Sequence, residues 1–369
     1  MFLLNIIKLS KSSVIYFLLI FAPIAVVLEF VNAADHLILF VISSLALIPL
    51  AKLIGDSTEH LSTHYGTTLG SLLNVTFGNA AELIIATVAI SAGLLDLVKA
   101  SITGAILGNI LLIFGLSILV GGFRYKEQFF NRENAGFQSS MLFLAIIGLA
   151  VPTILFGTEL APVDVENQKN IQILSDALAF LLLAVYVAGI IFTFFTHRHL
   201  FVQAHGEEDD GEQYHKHWTK KKSFLMLGLS MVGVIAVSEI LVGSVEETSK
   251  QFGFGELFVG AIIVGIVGNA AEHSSAVVLA RKGKIDLSIG IAAGSGTQIA
   301  LFVVPILVII GIIMGQPFTL VFTLFEIAAV LLAAIILNLI AHDGKSNWFE
   351  GVMLTAVYII IALGFFFIN

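Results

Sequence analysis

Two glutamates set in apolar surroundings define the chemistry open to this 369-residue sequence. Gly78-Asn79-Ala80-Ala81-Glu82 recurs as Gly268-Asn269-Ala270-Ala271-Glu272, a displacement of 190 residues (268 minus 78). A carboxylate inside an apolar helix costs about 2.5–3.5 kcal/mol on insertion scales, so it is retained mainly where it binds or is paired. The bland reading, a protonated glutamate that only packs helices, is weakened because the residue occurs twice in matched settings. Asn79 precedes Glu82 by three residues and Asn269 precedes Glu272 by three, so each pair is expected on one helix face, offering oxygens together. Ser275 extends the second face. Oxygen ligands of this kind suit a hard divalent cation, since Ca²⁺ takes about 6–8 from carboxylates, amides, backbone carbonyls and water. Two carboxylates close together at low dielectric cannot both stay ionised and empty, because repulsion and desolvation each raise the pKa. They hold protons or a cation, and such competition with alternating exposure couples opposite fluxes. His273, next to Glu272, could relay protons near neutral pH, with a packing role equally open.

The elements that must position these residues are membrane helices. The chain is 58% hydrophobic and 12% charged, with a mean hydropathy of +1.00. Repeated apolar runs of this length read as bilayer-spanning helices, which satisfy every backbone hydrogen bond internally. That composition excludes a soluble enzyme. Nucleic acid is set aside as a partner, because much of the acid behind the net charge of -8 sits in apolar runs or one loop. With no cysteine there are no disulfides and no thiolate metal sites.

Apolar runs and their polar breaks give about eleven spans, with cores near 14–31, 35–54, 68–92, 97–120, 137–157, 174–196, 223–247, 256–280, 286–313, 317–341 and 348–368. With the N-terminus in the cytoplasm, 15 of the 18 Lys and Arg fall on the cytoplasmic side and 3 (Lys99, Lys169, Lys250) on the other. The positive-inside rule thus supports an N-in, C-out orientation. Val31-Asn32-Ala33 could pass for a signal-peptide cleavage site, but the apolar stretch before it exceeds the ~7–15 residues of that class. The expected organisation is a first helix outside the repeats (1–33), a five-helix repeat (34–196), a hydrophilic linker (197–222) and a second five-helix repeat (223–369).

The same offset aligns Gly70 with Gly260, Asp96 with Asp286, Leu97 with Leu287 and Gly104 with Gly294. The first motif lies on the third span and the second on the eighth. Five crossings separate them, so the copies run in opposite directions, the inverted repeat of secondary transporters with ion sites near the midplane. The spans that follow carry Gly104-Ala105-Ile106-Leu107-Gly108-Asn109 and Gly294-Ser295-Gly296-Thr297-Gln298, so Asn109 and Gln298 bring an amide from each half. Bridging between helices is the plainer role for those amides. Glu59, Glu239 and Glu246, read as near span ends, are candidates for an access path or proton uptake. The run Glu207-Glu208-Asp209-Asp210-Gly211-Glu212 is either a solvated linker or a cytoplasmic antechamber that gathers or senses Ca²⁺. His197, His199, His205, His215 and His217 surround it.

These residues carry a resemblance. GNAAELI at 78–84, GNAAEHS at 268–274, Ser238-Glu239 followed by Leu241-Val242-Gly243-Ser244-Val245-Glu246, and GSGTQIALFV at 294–303 resemble the Ca²⁺/H⁺ antiporter (CAX) branch of the cation/Ca²⁺ exchanger superfamily, over nearly the whole chain. The resemblance implies an eleven-helix fold and secondary exchange of Ca²⁺, or another divalent cation, for H⁺. It makes Glu82 and Glu272 the central carriers, with Asn79, Asn269, Asn109 and Gln298 around them, and His273 fits this branch better than the Na⁺/Ca²⁺ exchangers. No cofactor is called for: Ca²⁺ and protons are cargo. A Na⁺- or K⁺-coupled Ca²⁺ exchanger of the same fold is the alternative, and a passive cation channel a more distant one, since acidic rings rather than one carboxylate pair suit a pore. An intramembrane metalloenzyme would want metal-ligand spacing that is missing. The expected setting is a microbial cell membrane, with a vacuolar or other organelle membrane as the alternative, and monomer and homo-oligomer both stay open.

Overall fold

A computed structural model describes residues 11–157, 165–201 and 218–368. The acidic run at Glu207, Glu208, Asp209, Asp210 and Glu212, with His205, His215 and His217, lies outside the described residues. After a 3₁₀ stretch over Lys11–Ile20, the helices are α1 (Phe21–Phe30), α2 (His36–Phe77), α3 (Ala80–Ser91), α4 (Leu95–Leu107), α5 (Phe114–Gly122), α6 (Arg132–Phe156), α7 (Val165–Ile191) and α8 (Arg198–Phe201). The remaining helices are α9 (Lys220–Phe252), α10 (Glu256–Phe258), α11 (Gly265–Arg281), α12 (Ile285–Gln298), α13 (Val304–Met314), α14 (Leu324–Ala341) and α15 (Trp348–Phe367). Strands β1 (Gln128–Phe129) and β2 (Lys345–Ser346) pair antiparallel.

Among the described residues nine helical segments are long and apolar enough to cross a membrane, and Ile15–Phe30 and Ala80–Ser91 are shorter apolar helices at two further expected spans. The chain is a multi-pass membrane protein. Large apolar side chains such as Ile147, Phe180, Val232 and Ile360 are exposed, as suits a surface that faces hydrocarbon instead of water.

The polar stretch after the second expected span does not break the helix. α2 runs unbroken for 42 residues, roughly 63 Å at 1.5 Å per residue. Its hydroxyls bond back to their own helix, Ser57 to the Leu53 carbonyl at 2.6 Å and Thr58 to that of Ile54 at 2.8 Å. Such bonding lets hydroxyl side chains continue a helix where hydropathy alone suggests a loop. The break comes at Gly78-Asn79, inside the first motif, and α3 starts at Ala80. In the second copy Gly268-Asn269 lies within α11, and the irregularity falls earlier, in a π-helical segment over Val259–Val264.

Two compact units cut across the linear halves. The first comprises Met1–Val88, Thr219–Phe254 and Val267–Ala271; the second comprises Ala89–Trp218, Gly255–Ile266 and Glu272–Asn369. In the first, α2 packs along α9, and α1 lies against both. Gly233 of α9 makes room for Leu50, whose Cδ2 would be 2.8 Å from a Cβ there. Tyr16 donates to the Asp56 carboxylate, which also holds Lys52 at 3.1 Å.

In the second unit, α4 packs on Val259–Val264, α5 on α15, and α6 on α14 and α12. α4 approaches so closely that a Cβ on Gly104 would sit 1.8 Å from the Ala261 carbonyl oxygen, and one on Gly260 2.7 Å from Ala100 Cβ. Asn131 caps α6 by accepting from Glu133 N and Asn134 N. Thr323 and Glu326 cap α14 reciprocally.

Gly104→Ala would force a methyl group into backbone, which cannot yield as a side-chain tip can. It is expected to lower stability by about 1–3 kcal/mol. Gly136→Ala, on α6 with nothing within 4 Å of the new carbon, is expected to leave stability unchanged or slightly raised. Thermal melting of the two detergent-solubilised variants checks both.

Candidate cation and proton site

The first unit brings together Asn79, Glu82 and Asn269. Asn79 is 1% exposed and sits in the turn between α2 and α3, so it does not share a helix face with Glu82 as its spacing predicts. It contributes its backbone carbonyl to the start of α3, accepting from Leu83 N at 3.1 Å. Glu82 falls in the first turn of α3, just past the break that divides its expected span. There the helix dipole favours a negative charge. Its side chain lies over the second motif: a Cβ on Gly268 would be 3.5 Å from Glu82 Cγ and 3.6 Å from Oε1. Gly268 therefore leaves the carboxyl room, with the buried Asn269 next in sequence.

The second unit holds Glu272, His273, Asn109 and, unforeseen from the sequence, Ser295. Glu272 lies on α11, where Asn269 is one turn earlier and Ser275 one turn later, as the spacing predicts. The Ser295 side chain of α12 hydrogen-bonds to its carboxyl group. Ser295 Oγ also accepts from Asn109 Nδ2 at 3.2 Å. One hydroxyl thus links the carboxyl of α11 to the buried amide that follows α4. Among the described residues, Glu272 Oε2 is shut off from solvent and makes no hydrogen bond. A buried carboxyl oxygen left so carries a desolvation penalty that a cation or a proton would relieve.

Backbone irregularity coincides with the amides. α4 passes into a π-helical segment over Gly108–Ile113, which contains Asn109, and α12 passes into another over Ile299–Val303, just after Gln298. Adding 190 to 108 and 113 gives 298 and 303, so the two segments are repeat-related to within a residue. Single π turns shift the i→i−4 ladder and recur at functional sites. Gln298 is half-buried, whereas Asn109 is fully buried. Gly108 faces His273: a Cβ there would be 3.8 Å from the imidazole Cε1. His273 is 6% exposed, and its Nε2 makes no hydrogen bond among the described residues.

The outlying carboxylates are placed differently from expectation. Glu59 and Glu239 are exposed residues in the interiors of α2 and α9, not near helix ends, because both helices extend past the apolar cores. Glu246 is two turns from the end of α9 and pairs with Lys250 at 2.7 Å. His197 stacks on Phe192, with its ring centroid 6.0 Å from that of His199. Among the described residues no three His, Cys, Asp or Glu converge as a metal cluster. A bound cation would therefore depend on amide, hydroxyl and backbone oxygens beside the carboxylates, a donor set for a hard ion. Ser295 stood in the sequence between two glycines, and that small-residue setting was the one available sign that a side chain there meets a neighbouring helix.

Carboxyl groups carried inside apolar spans, with the helices broken or wound to π beside them, define an ion-transporting membrane protein. The pattern of the sodium/calcium exchanger protein family matches residues 35–195 and 222–367, and the chain belongs to that family. A Ca²⁺/H⁺ antiporter of Aphanothece halophytica is 42% identical over 369 residues, covering 97% of this chain and 98% of its own. The Ca²⁺/H⁺ antiporter ChaA of Bacillus subtilis is 41% identical over 355 residues, covering 95% and 99%. The solved structure of native YfkE matches with a TM-score of 0.81 at 37% identity, covering 95% of this chain and 99% of that one. The crystal structure of the H⁺/Ca²⁺ exchanger CAX, at 16% identity, shares the fold with a TM-score of 0.70.

Gly108→Ala is expected to be tolerated, since its methyl group would meet the His273 ring at ordinary contact distance. Gly108→Leu would drive the imidazole out of place at a cost of about 1–3 kcal/mol. Comparative melting of the two proteins in one detergent reads the difference.

Proposed function

We propose that this chain is a secondary antiporter that exchanges Ca²⁺, or a similar divalent cation, for protons by alternating access, and not an enzyme. Glu82 and Glu272 bind cation or protons in competition; Asn79, Asn269, Asn109, Gln298, Ser275 and Ser295 supply neutral oxygens; His273 is the proton relay beside Glu272. The observation that carries the reading is the linked set Glu272, Ser295 and Asn109, in which a buried carboxyl oxygen awaits a positive partner next to an amide and a hydroxyl. Relatives at 41–42% identity over nearly the full chain are named Ca²⁺/H⁺ antiporters, which supports the choice of ions. Glu59, Glu239 and Glu246 are proposed to lie on the routes by which ions and protons reach the carriers. Residues 34–196 and 223–369 are proposed as the two inverted repeats, with 1–33 outside them and the acidic 197–222 segment as a cytoplasmic linker.

Competition gives the direction of the pH effect. Protons occupy the same carboxylates, so acidification on the cation-loading side raises the Ca²⁺ concentration needed for half-saturation. In proteoliposomes without Na⁺ or K⁺, an imposed pH gradient should drive ⁴⁵Ca²⁺ uptake in the wild type and not in Glu82→Gln or Glu272→Gln. Ser295→Ala should raise the half-saturating Ca²⁺ several-fold and spare the maximal rate more, as loss of a ligand-orienting contact does. Uptake that appears only when Na⁺ or K⁺ is supplied would assign the counter-ion to those cations instead, and uptake indifferent to both Gln substitutions would remove the carriers from Glu82 and Glu272.

A further inference from the structure

Within the second unit a third carboxylate is buried away from Glu272. Glu326, on the first turn of α14, is 1% exposed. Its Oε2 accepts from Thr323 N at 2.8 Å and from Thr323 Oγ1 at 2.9 Å, and its Oε1 accepts from Thr103 Oγ1 of α4 at 3.3 Å. The Lys99 ammonium, one turn before Thr103, acts on it electrostatically and is itself only 14% exposed, with Asp96 at 3.6 Å on its other side. Both carboxyl oxygens are thus engaged, and a cation stands by. A buried carboxylate so fully partnered is built to hold elements together, and breaking one side of such a set costs about 3–5 kcal/mol.

What it holds is the helix that leads into the amide site. Thr103 precedes Gly104, the residue that lets α4 press on the Ala261 backbone, and lies six residues before Asn109, about 9 Å along the axis. The segment that delivers Glu326 is itself fixed: Leu320 N donates to Ser175 Oγ at 3.0 Å, and Phe322 N to Thr153 Oγ1 at 3.0 Å. Phe318 and Leu320 are fully buried. The chain from Phe318 to Glu326 is therefore an anchored strap, bonded to α7 and α6 and ending on α4.

We propose that Glu326 is a positioning residue: through Thr103 it fixes the axial place of α4, and so of Asn109 against Ser295, and it carries no transported proton. The inference rests on the reading of Asn109 as a cation-site amide. The test is pH-gradient-driven ⁴⁵Ca²⁺ uptake by the reconstituted full-length protein, with half-saturating Ca²⁺ and maximal rate measured separately for Thr103→Val, Thr103→Ser, Glu326→Gln and Asn109→Ala. Glutamine also completes a capping box through its one oxygen and can donate its amide to the Thr103 hydroxyl, which accepts as well as donates, so Glu326→Gln is expected to keep both parameters within about twofold of wild type. Thr103→Val should raise half-saturation several-fold with the maximal rate largely kept, and Thr103→Ser should restore it. Should Thr103→Val not be monodisperse, Thr103→Ala carries the same comparison.

Loss of proton-driven uptake in Glu326→Gln would overturn the proposal by making the carboxylate a proton carrier. Wild-type half-saturation in Thr103→Val, with a raised value in Asn109→Ala, would overturn it by uncoupling the strap from the site. A wild-type value in Asn109→Ala would instead withdraw the amide from the site, and the positioning role with it.

Discussion

Hydrocarbon offers no hydrogen bonds, and the rest of this structure follows from that restriction. Every carboxyl, amide and hydroxyl carried into an apolar span must find its partner within the protein or keep an ion there. The chain meets the demand in three ways. Ser43 and Ser57 of α2 and Ser244 of α9 bond back to their own helices. The carboxylate of Glu326 is surrounded by donors. At Glu272 the satisfaction is incomplete, with one oxygen bonded and the other left bare among the described residues. Glu326 and Glu272 thus differ less in burial than in how fully their oxygens are partnered.

The small residues serve the same end. Contact between α4 and Val259–Val264 is close enough that side chains at Gly104 and Gly260 would strike backbone or Cβ atoms. Between lipid-embedded helices, where no hydrophobic effect drives association, such close approach is a main source of cohesion. The π-helical turn at Gly108–Ile113 follows directly after this contact, and within it Asn109 meets Ser295.

Much of this was legible in the sequence. The 190-residue repeat exposed Glu82 and Glu272, and apolar run length located the nine long segments, because both signals depend on side-chain chemistry alone. Helix ends are less legible. Lys52, Asp56, Glu59 and His60 look like a loop to any hydropathy scale, yet α2 passes straight through them, since polarity marks where water or partners are and not where a helix stops. The converse holds at Gly78-Asn79, where an apolar setting conceals a break. The π segments left no compositional trace, being a matter of backbone register. A serine between glycines, as Ser295 is, reads as a packing feature until its neighbours are known.

The link from Asn109 through Ser295 to Glu272 has a polarity. An amide nitrogen can only donate, so Ser295 Oγ is the acceptor on that side and its single hydrogen is left for the carboxylate. The three groups thus form a one-way wire, aimed at the anion. A proton taken up on the bare Oε2 would leave this arrangement as it is, whereas one placed on the oxygen that Ser295 reaches would turn the hydroxyl hydrogen away. Where a proton sits on one carboxyl group is in this way tied to the direction of a hydroxyl on a neighbouring helix.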